Sequence, residues 1–170
     1  EATWLAESPA SCDVPPATLF AEPRPHKLFH FELKADWDGG APPTEATLSY
    51  VATNQQAVRL PVALAADPSD CAAPPTSVSF QETQAHNAFE GLDGFVLRPP
   101  CAGDEQGLLM EHALLRAFQG QRDVAPAVRL GRMTWRNVDG SERAQGFVLL
   151  QERDPTACAR CGWKAVVDVD

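Results

Sequence analysis

The first signal in the chain is a period of two in its apolar residues. In KLFHFELKADW (27–37) every second side chain from Phe29 to Trp37 is apolar, and those between them are polar or charged. This period is typical of a β-strand with one buried face. Seven further stretches predict strands: TEATLSYVA (44–52), AVRLPVALAA (57–66), TSVSFQ (76–81), GFVLRPPC (94–101), AVRLGRMTW (127–135), AQGFVLLQE (144–152) and WKAVVDVD (163–170).

One segment, DEQGLLMEHALLRAFQG (104–120), has the spacing of a helix instead. Its first two residues are acidic, which the helix dipole favours at an N-terminus, and Gly120 suits the position just after a helix. Residues three and four apart share a face, so the segment is predicted to have a polar and an apolar stripe. The polar stripe comprises Glu105, His112, Arg116 and Gln119, and the apolar stripe Leu108, Leu115 and Phe118.

The order of these elements, strands followed by one helix and then strands, predicts the fold class. We expect an α+β fold, in which an antiparallel sheet or meander has one main helix packed on one side. Asp139-Gly140 predicts a tight hairpin turn within the last part of the sheet. Residues 1–23 are rich in proline and are predicted to be irregular, whereas 24–170 is long enough for a single domain with its own core.

Charge and hydropathy exclude some classes of partner. The formal net charge of −9 argues against nucleic acid and anionic membranes, because both are bound mainly through Lys and Arg. No apolar run is long enough to span a bilayer, so we expect no membrane span. The expected partner is a protein or a surface component whose identity the sequence does not give.

The five cysteines indicate an oxidising compartment. They are many for a cytosolic chain of 170 residues and predict two disulfides with one thiol left over, in any of about 15 pairings. A C-x-x-C motif forms at most half of a four-cysteine zinc site, so disulfides are the favoured interpretation. We expect an extracytoplasmic protein, secreted, periplasmic or at the cell surface, whose signal peptide has been removed. The cysteines are Cys12, Cys71, Cys101, Cys158 and Cys161.

Histidines provide a candidate metal site for copper or zinc. His26 and His30 lie about 13 Å apart on an extended strand, which is too far for one ion. His30 would therefore need His86 or His112 from elsewhere, with Cys12 as a further ligand. The paired carboxylates of Asp168 and Asp170 share a face but end the chain, and we assign them no role.

The order of several motifs resembles a bacterial extracytoplasmic family related to the spore-coat CotH kinase-like fold. The resemblance covers about residues 24–153 and rests on RPHKLFHFELKADW, CAAPPTSVSF, FEGLDGFVLRPPC, EQGLLMEHALLRAF, VRLGRMTW and GFVLLQE. It implies a disulfide between Cys71 and Cys101, which in the chain-entropy account is worth about 3–4 kcal/mol. It also implies that Glu111 corresponds to a helix glutamate that pairs with a nucleotide-facing lysine.

The departures from this family point away from catalysis. Where the family carries lysines, this chain has Gly94, Phe95 and Val96, and the segment before Cys71 is uncharged or acidic. The C-terminal part that supplies metal ligands in kinase-like members is also expected to be missing. Because phosphoryl transfer depends on positioned charge, we expect a non-catalytic binding or structural domain with no cofactor.

Two alternatives remain open from the sequence. The first is a divergent ATP-dependent phosphotransferase with Mg²⁺, in which Arg98, Arg129 or Arg132 replaces the lysine while Glu111 and Glu152 hold the metal. The second is the histidine metal site. In the favoured interpretation Glu111 makes a structural contact with Arg98 or Arg129, and Arg98, Glu111 and Glu152 do not form a complete site.

Overall fold

A computed structural model of the protein describes residues 19–21, 28–36, 43–67, 74–121 and 127–153. Each strand predicted within these ranges is confirmed, as is the helix, whereas the strand predicted at 163–170 lies outside them. The elements are β1 (Phe29–Lys34), β2 (Glu45–Val51), β3 (Ala57–Ala66), β4 (Thr76–Phe80), β5 (Gly94–Arg98), α1 (Glu105–Gln121), β6 (Val128–Arg136) and β7 (Glu142–Gln151).

The seven strands form a closed barrel rather than an open sheet. Their order around the barrel is β1-β2-β3-β4-β5-β7-β6, and β1 pairs with β6 to close it. The β1–β6 pair is parallel, and all the other pairs are antiparallel. The expectation of an α+β antiparallel meander with one main helix is therefore wrong. Alternation fixes which face of a strand is buried, but it does not specify a partner on a distant strand.

The chain departs from a simple meander after β5. Strands β1 to β5 pair in chain order, and α1 then crosses the outside of the barrel before β6 begins. Strand β7 pairs with both β5 and β6 and so lies between them. The hairpin predicted at Asp139-Gly140 joins β6 to β7, and Gly140 has the positive φ of 90° that such a turn requires.

Apolar side chains fill the barrel interior. The inward positions of β1, β2, β4 and β5 supply Phe31, Leu48, Val78 and Phe95, all nearly inaccessible to solvent. Aromatic rings pack together at one end, where Phe89 stacks on Phe95 with ring centroids 5.3 Å apart. Leu19 and Phe20, from the N-terminal segment that was predicted to be irregular, also belong to this core. Its other members include Phe29, Leu33, Tyr50, Val62, Leu64, Phe80, Leu92, Leu97, Met133, Val148 and Leu150.

Helix α1 packs on the outer face of β6 and β7. Leu108 is buried with Val128 and Leu149 in a small second core, and Leu115 packs against it. The prediction for Leu108 and Leu115 is confirmed, but the one for Phe118 is wrong because this side chain is 51% exposed. The exposed stripe of α1 is instead apolar and comprises Leu109, Met110, Leu114 and Phe118.

Candidate functional site

Arg98 and Glu111 form an ion pair between β5 and α1. The distance between Arg98 Nη1 and Glu111 Oε1 is 2.5 Å, and the same Nη1 donates a hydrogen bond to Gln151 Oε1 at 3.1 Å. The predicted structural contact of Glu111 is therefore confirmed with Arg98. Both side chains are a little over one third exposed, so solvent screens the pair.

Glu152 lies on the other side of the barrel wall. Leu97 of β5 and Leu150 of β7 are paired and buried, so Arg98 and Gln151 point outward and Glu152 points inward. The Glu152 side chain is buried, and its Oε2 accepts a hydrogen bond from the Ala127 amide at 3.1 Å. The structure thus brings together Arg98 and Glu111 but not Glu152.

The two other candidate cations are engaged away from Glu111. Arg129 donates from Nη1 to the Leu19 carbonyl, and its guanidinium lies 5.1 Å from the centre of the Phe29 ring. Arg132 donates to Gln145 and lies over Phe147. Neither arginine is in a position to replace Arg98 in the pair with Glu111.

Phe95 occupies the middle of the strand where the resemblance expects a lysine. Its side chain is fully buried in the aromatic core and contacts Phe80 and Phe89. A charged group at this position would face the apolar interior, where an unpaired charge is strongly unfavourable. In this fold position 95 therefore serves packing, and the outward positions of β5 are Val96 and Arg98.

A shallow groove of about 390 Å³ runs across the outer faces of β4, β5 and β7. We call it the outer-wall groove. Its floor is made by Ser77, Val96 and Gln151, which are cross-strand neighbours. Arg98 and Arg153 line it from opposite ends of β5, and Asp67 and Pro75 complete the lining.

Arg153 is held in this groove by contacts with β4. Its Nη2 donates to the Val78 carbonyl at 3.0 Å and to Ser79 Oγ. The side chain crosses Gly94 so closely that a Cβ there would lie 2.6 Å from the Arg153 Cζ. The sequence analysis missed Arg153, although a glycine inside a predicted strand is a signal of close approach by another group.

A second cavity of about 230 Å³ lies beside the first, between β5 and the start of α1. Arg98 lines both cavities, so the ion pair with Glu111 stands at their boundary. Asp104 also lines the second cavity and caps α1, because its Oδ1 accepts a hydrogen bond from the Gly107 amide at 2.8 Å. This cap fixes the start of the helix that carries Glu111.

The cysteine predictions fall largely outside the described residues. Cys101 begins the short 3-10 turn before α1 and is disulfide-bonded. Cys12, Cys71, Cys158 and Cys161 lie outside the described ranges. The pairing of Cys71 with Cys101 therefore stays a prediction.

The histidines proposed as metal ligands lie on separate elements. His30 is exposed on β1, His86 is exposed in the loop between β4 and β5, and His112 is half-buried on α1. Burial lowers the pKa of His112 below its usual value, and the nearby Arg116 adds to this effect. Within the described ranges no group of three or more His, Cys, Asp or Glu side chains could hold a metal ion. Asp168 and Asp170 fall outside those ranges.

Comparison with known proteins adds no relative. No family model matches the chain, and neither a curated protein nor a solved structure is significantly similar to it. The only helix in the part of the chain that the structure describes is not long and apolar enough to cross a membrane. The likeness to the CotH-related family thus continues to rest on the order of motifs in the sequence.

Proposed function

We propose that this chain is a non-catalytic, extracytoplasmic binding domain that contacts its ligand through the outer-wall groove. Apolar side chains pack the barrel interior, so ligands are expected to meet the outside of the barrel. The groove is the larger of the two cavities described above, and its lining mixes charged, amide, hydroxyl and aliphatic groups. Its charged, amide and hydroxyl groups are able to make hydrogen bonds and ion pairs with a ligand.

One observation carries the non-catalytic part of the proposal, namely that Glu152, the second proposed metal ligand, is buried against the Ala127 amide and does not join Arg98 and Glu111. Phosphoryl transfer needs a cation on the phosphates and carboxylates on a metal. Glu111 is already paired, and Glu152 faces the opposite side of the barrel wall. The divergent ATP and Mg²⁺ alternative therefore has less support than binding.

The extracytoplasmic part of the proposal is supported by the number of cysteines and by the disulfide at Cys101. Disulfides persist mainly in oxidising compartments. We include in the proposal a distant relation to the CotH-related family, supported by the shared order of motifs. No observation favours the copper or zinc alternative.

Thermal unfolding with nucleotide tests the non-catalytic assignment. A ligand at about 100 times its Kd stabilises a folded protein by about 2.7 kcal/mol. We expect ATP with Mg²⁺ or Mn²⁺ to leave the Tm of the wild type and of Arg98→Gln equally unchanged. A metal-dependent rise in Tm that Arg98→Gln abolishes would overturn the assignment.

Hydroxyl-radical footprinting tests whether the groove is a binding surface. The purified chain is compared with the chain mixed with an extracytoplasmic fraction of its host. We expect the fraction to protect Pro75 and Val96, which line the groove, while Val51 and Val138 remain reactive. Protection that is absent at the groove, or equal at all four residues, would contradict the proposed function.

A further inference from the structure

The outer-wall groove is lined by two arginine side chains, one towards each end of β5. Arg98 lies at the C-terminal end of β5, and Arg153 crosses the strand at Gly94, four residues earlier. Four residues of a β-strand span about 13 Å. A single phosphate or carboxylate is therefore too small to contact both ends of the groove.

The two arginines differ in how their charge is used. Among the described residues Arg153 forms no ion pair, and it donates hydrogen bonds to the neutral Val78 carbonyl and Ser79 hydroxyl. Arg98 shares its charge with Glu111 in a partly exposed pair. Pairs of this kind are worth at most about 1 kcal/mol, so another carboxylate is able to compete with Glu111.

The floor between the arginines is neutral. It carries the Ser77 hydroxyl, the Gln151 amide and the Val96 side chain, which suit a backbone and small side chains rather than further charges. Asp67 is the acidic residue of the lining, and its amide donates to the Pro75 carbonyl, so it lies near the Arg98 end of the groove rather than between the two arginines. A nucleoside triphosphate fits poorly because its charges are close together.

We propose that the outer-wall groove binds an extended acidic peptide segment with two carboxylates four residues apart. One carboxylate pairs with Arg153, and the other displaces Glu111 from Arg98. Guanidinium groups favour carboxylates because of their planar array of donors. This inference names the ligand class for the proposed function and rests on it.

The test is an NMR titration that follows the amides of Ser77, Val96 and Gln151. The probes are the capped peptides Glu-Gly-Ser-Gly-Glu and Gln-Gly-Ser-Gly-Gln. We expect only the acidic peptide to shift these amides, with an affinity that falls as salt is added. Equal shifts with the neutral peptide would overturn the choice of an acidic ligand.

Three variants test whether the affinity for the acidic peptide changes in the direction that the proposal requires. Arg153→Gln is expected to weaken binding by about three- to tenfold, whereas Arg143→Gln, the same charge change near the other end of β7, leaves it unchanged. Glu111→Gln is expected to strengthen binding, because it removes the competitor at Arg98. Weaker binding by Glu111→Gln, or equal effects of the two arginine variants, would contradict the proposal.

The footprinting result separates this inference from the proposed function. If the host fraction protects the groove but the acidic peptide does not bind, the binding function stands and the ligand class is wrong. If the host fraction does not protect the groove and the acidic peptide does not shift its amides, the proposed function and the ligand class are both wrong. Glu111→Gln leaves the Arg153 contacts with β4 intact, so the inference stays testable if Arg153→Gln does not fold.

Discussion

Gly94 shows how a single residue shapes the candidate site. A Cβ at this position would lie 2.3 Å from the Val78 carbonyl oxygen as well as against the Arg153 guanidinium. The absence of a side chain therefore lets Arg153 cross β5 and reach β4. The sequence contains the glycine but not its reason, because Val78 and Arg153 are far apart along the chain.

We predict that Gly94→Ala destabilises the protein by about 1–3 kcal/mol, the usual cost of overpacking a tight position. Gly146→Ala on β7 is a matched control, because the nearest atom to a Cβ there is 3.9 Å away. Its effect is expected to stay within about 0.5 kcal/mol. Urea unfolding of both variants measures the difference, and equal losses of stability would refute the steric argument.

At the residue scale the sequence predicted Arg98 or Arg129 as the partner of Glu111, of which the structure shows Arg98, but it did not predict the groove. The pair with Arg98 could be predicted because both residues lie near one strand–helix connection. The contacts of Arg153 join the segment just after β7 to β4, more than 70 residues earlier. A separation of this size leaves no periodic signal in the sequence.

At the scale of the element, the start of α1 was predicted well and its faces only in part, whereas Gly120, predicted to follow the helix, lies within it. The acidic residues Asp104 and Glu105 mark its start in the sequence, and the structure shows Asp104 to be the cap because it accepts a hydrogen bond from the Gly107 amide. Apolar residues occur all around α1, so its pattern does not select one buried face. The barrel selects the stripe of Leu108 and Leu115 and leaves Met110 and Leu114 exposed.

Two leucines on α1 are expected to respond differently to truncation. We predict that Leu108→Ala costs about 2–5 kcal/mol, because it opens a cavity against β6 and β7. Leu114→Ala removes a side chain that is 68% exposed, and its effect is expected to lie within about 0.5 kcal/mol. Comparable losses in chemical unfolding would mean that Leu114 also packs in solution.

At the scale of the whole molecule, the parallel pair of β1 and β6 closes the barrel. This pairing runs from Phe29 with Gly131 to Lys34 with Arg136. Closure gives both strands a neighbour on each side and removes the unpaired edges of an open meander. It also buries the inward faces of all seven strands in one shared core.

Hydrogen exchange distinguishes a closed barrel from an open sheet. We predict that the consecutive amides of Glu32, Leu33 and Lys34 all exchange slowly, because these residues of β1 are in register with both β2 and β6. Val58 and Arg59 are an internal control, since this part of β3 pairs with β2 but lies before the register with β4. There alternate amides are expected to exchange fast.

In an open sheet β1 would pair with β2 alone, so its amides would alternate between slow and fast exchange, as in the control. Slow exchange at every second residue only, between Glu32 and Lys34, would therefore contradict closure by β6. Mass spectrometry of overlapping peptides does not separate neighbouring amides, so the measurement needs residue-resolved NMR.

The sequence by itself determined the strands, the helix and the inward faces, because period and end signals act over a few neighbouring residues. Only the tertiary structure decided that β6 joins β1, that β7 lies between β5 and β6, and that Arg153 reaches β4. These contacts link residues far apart in the chain, and their free energy comes from burying one shared core. Local patterns record which side chains avoid water, but not which distant surface covers them.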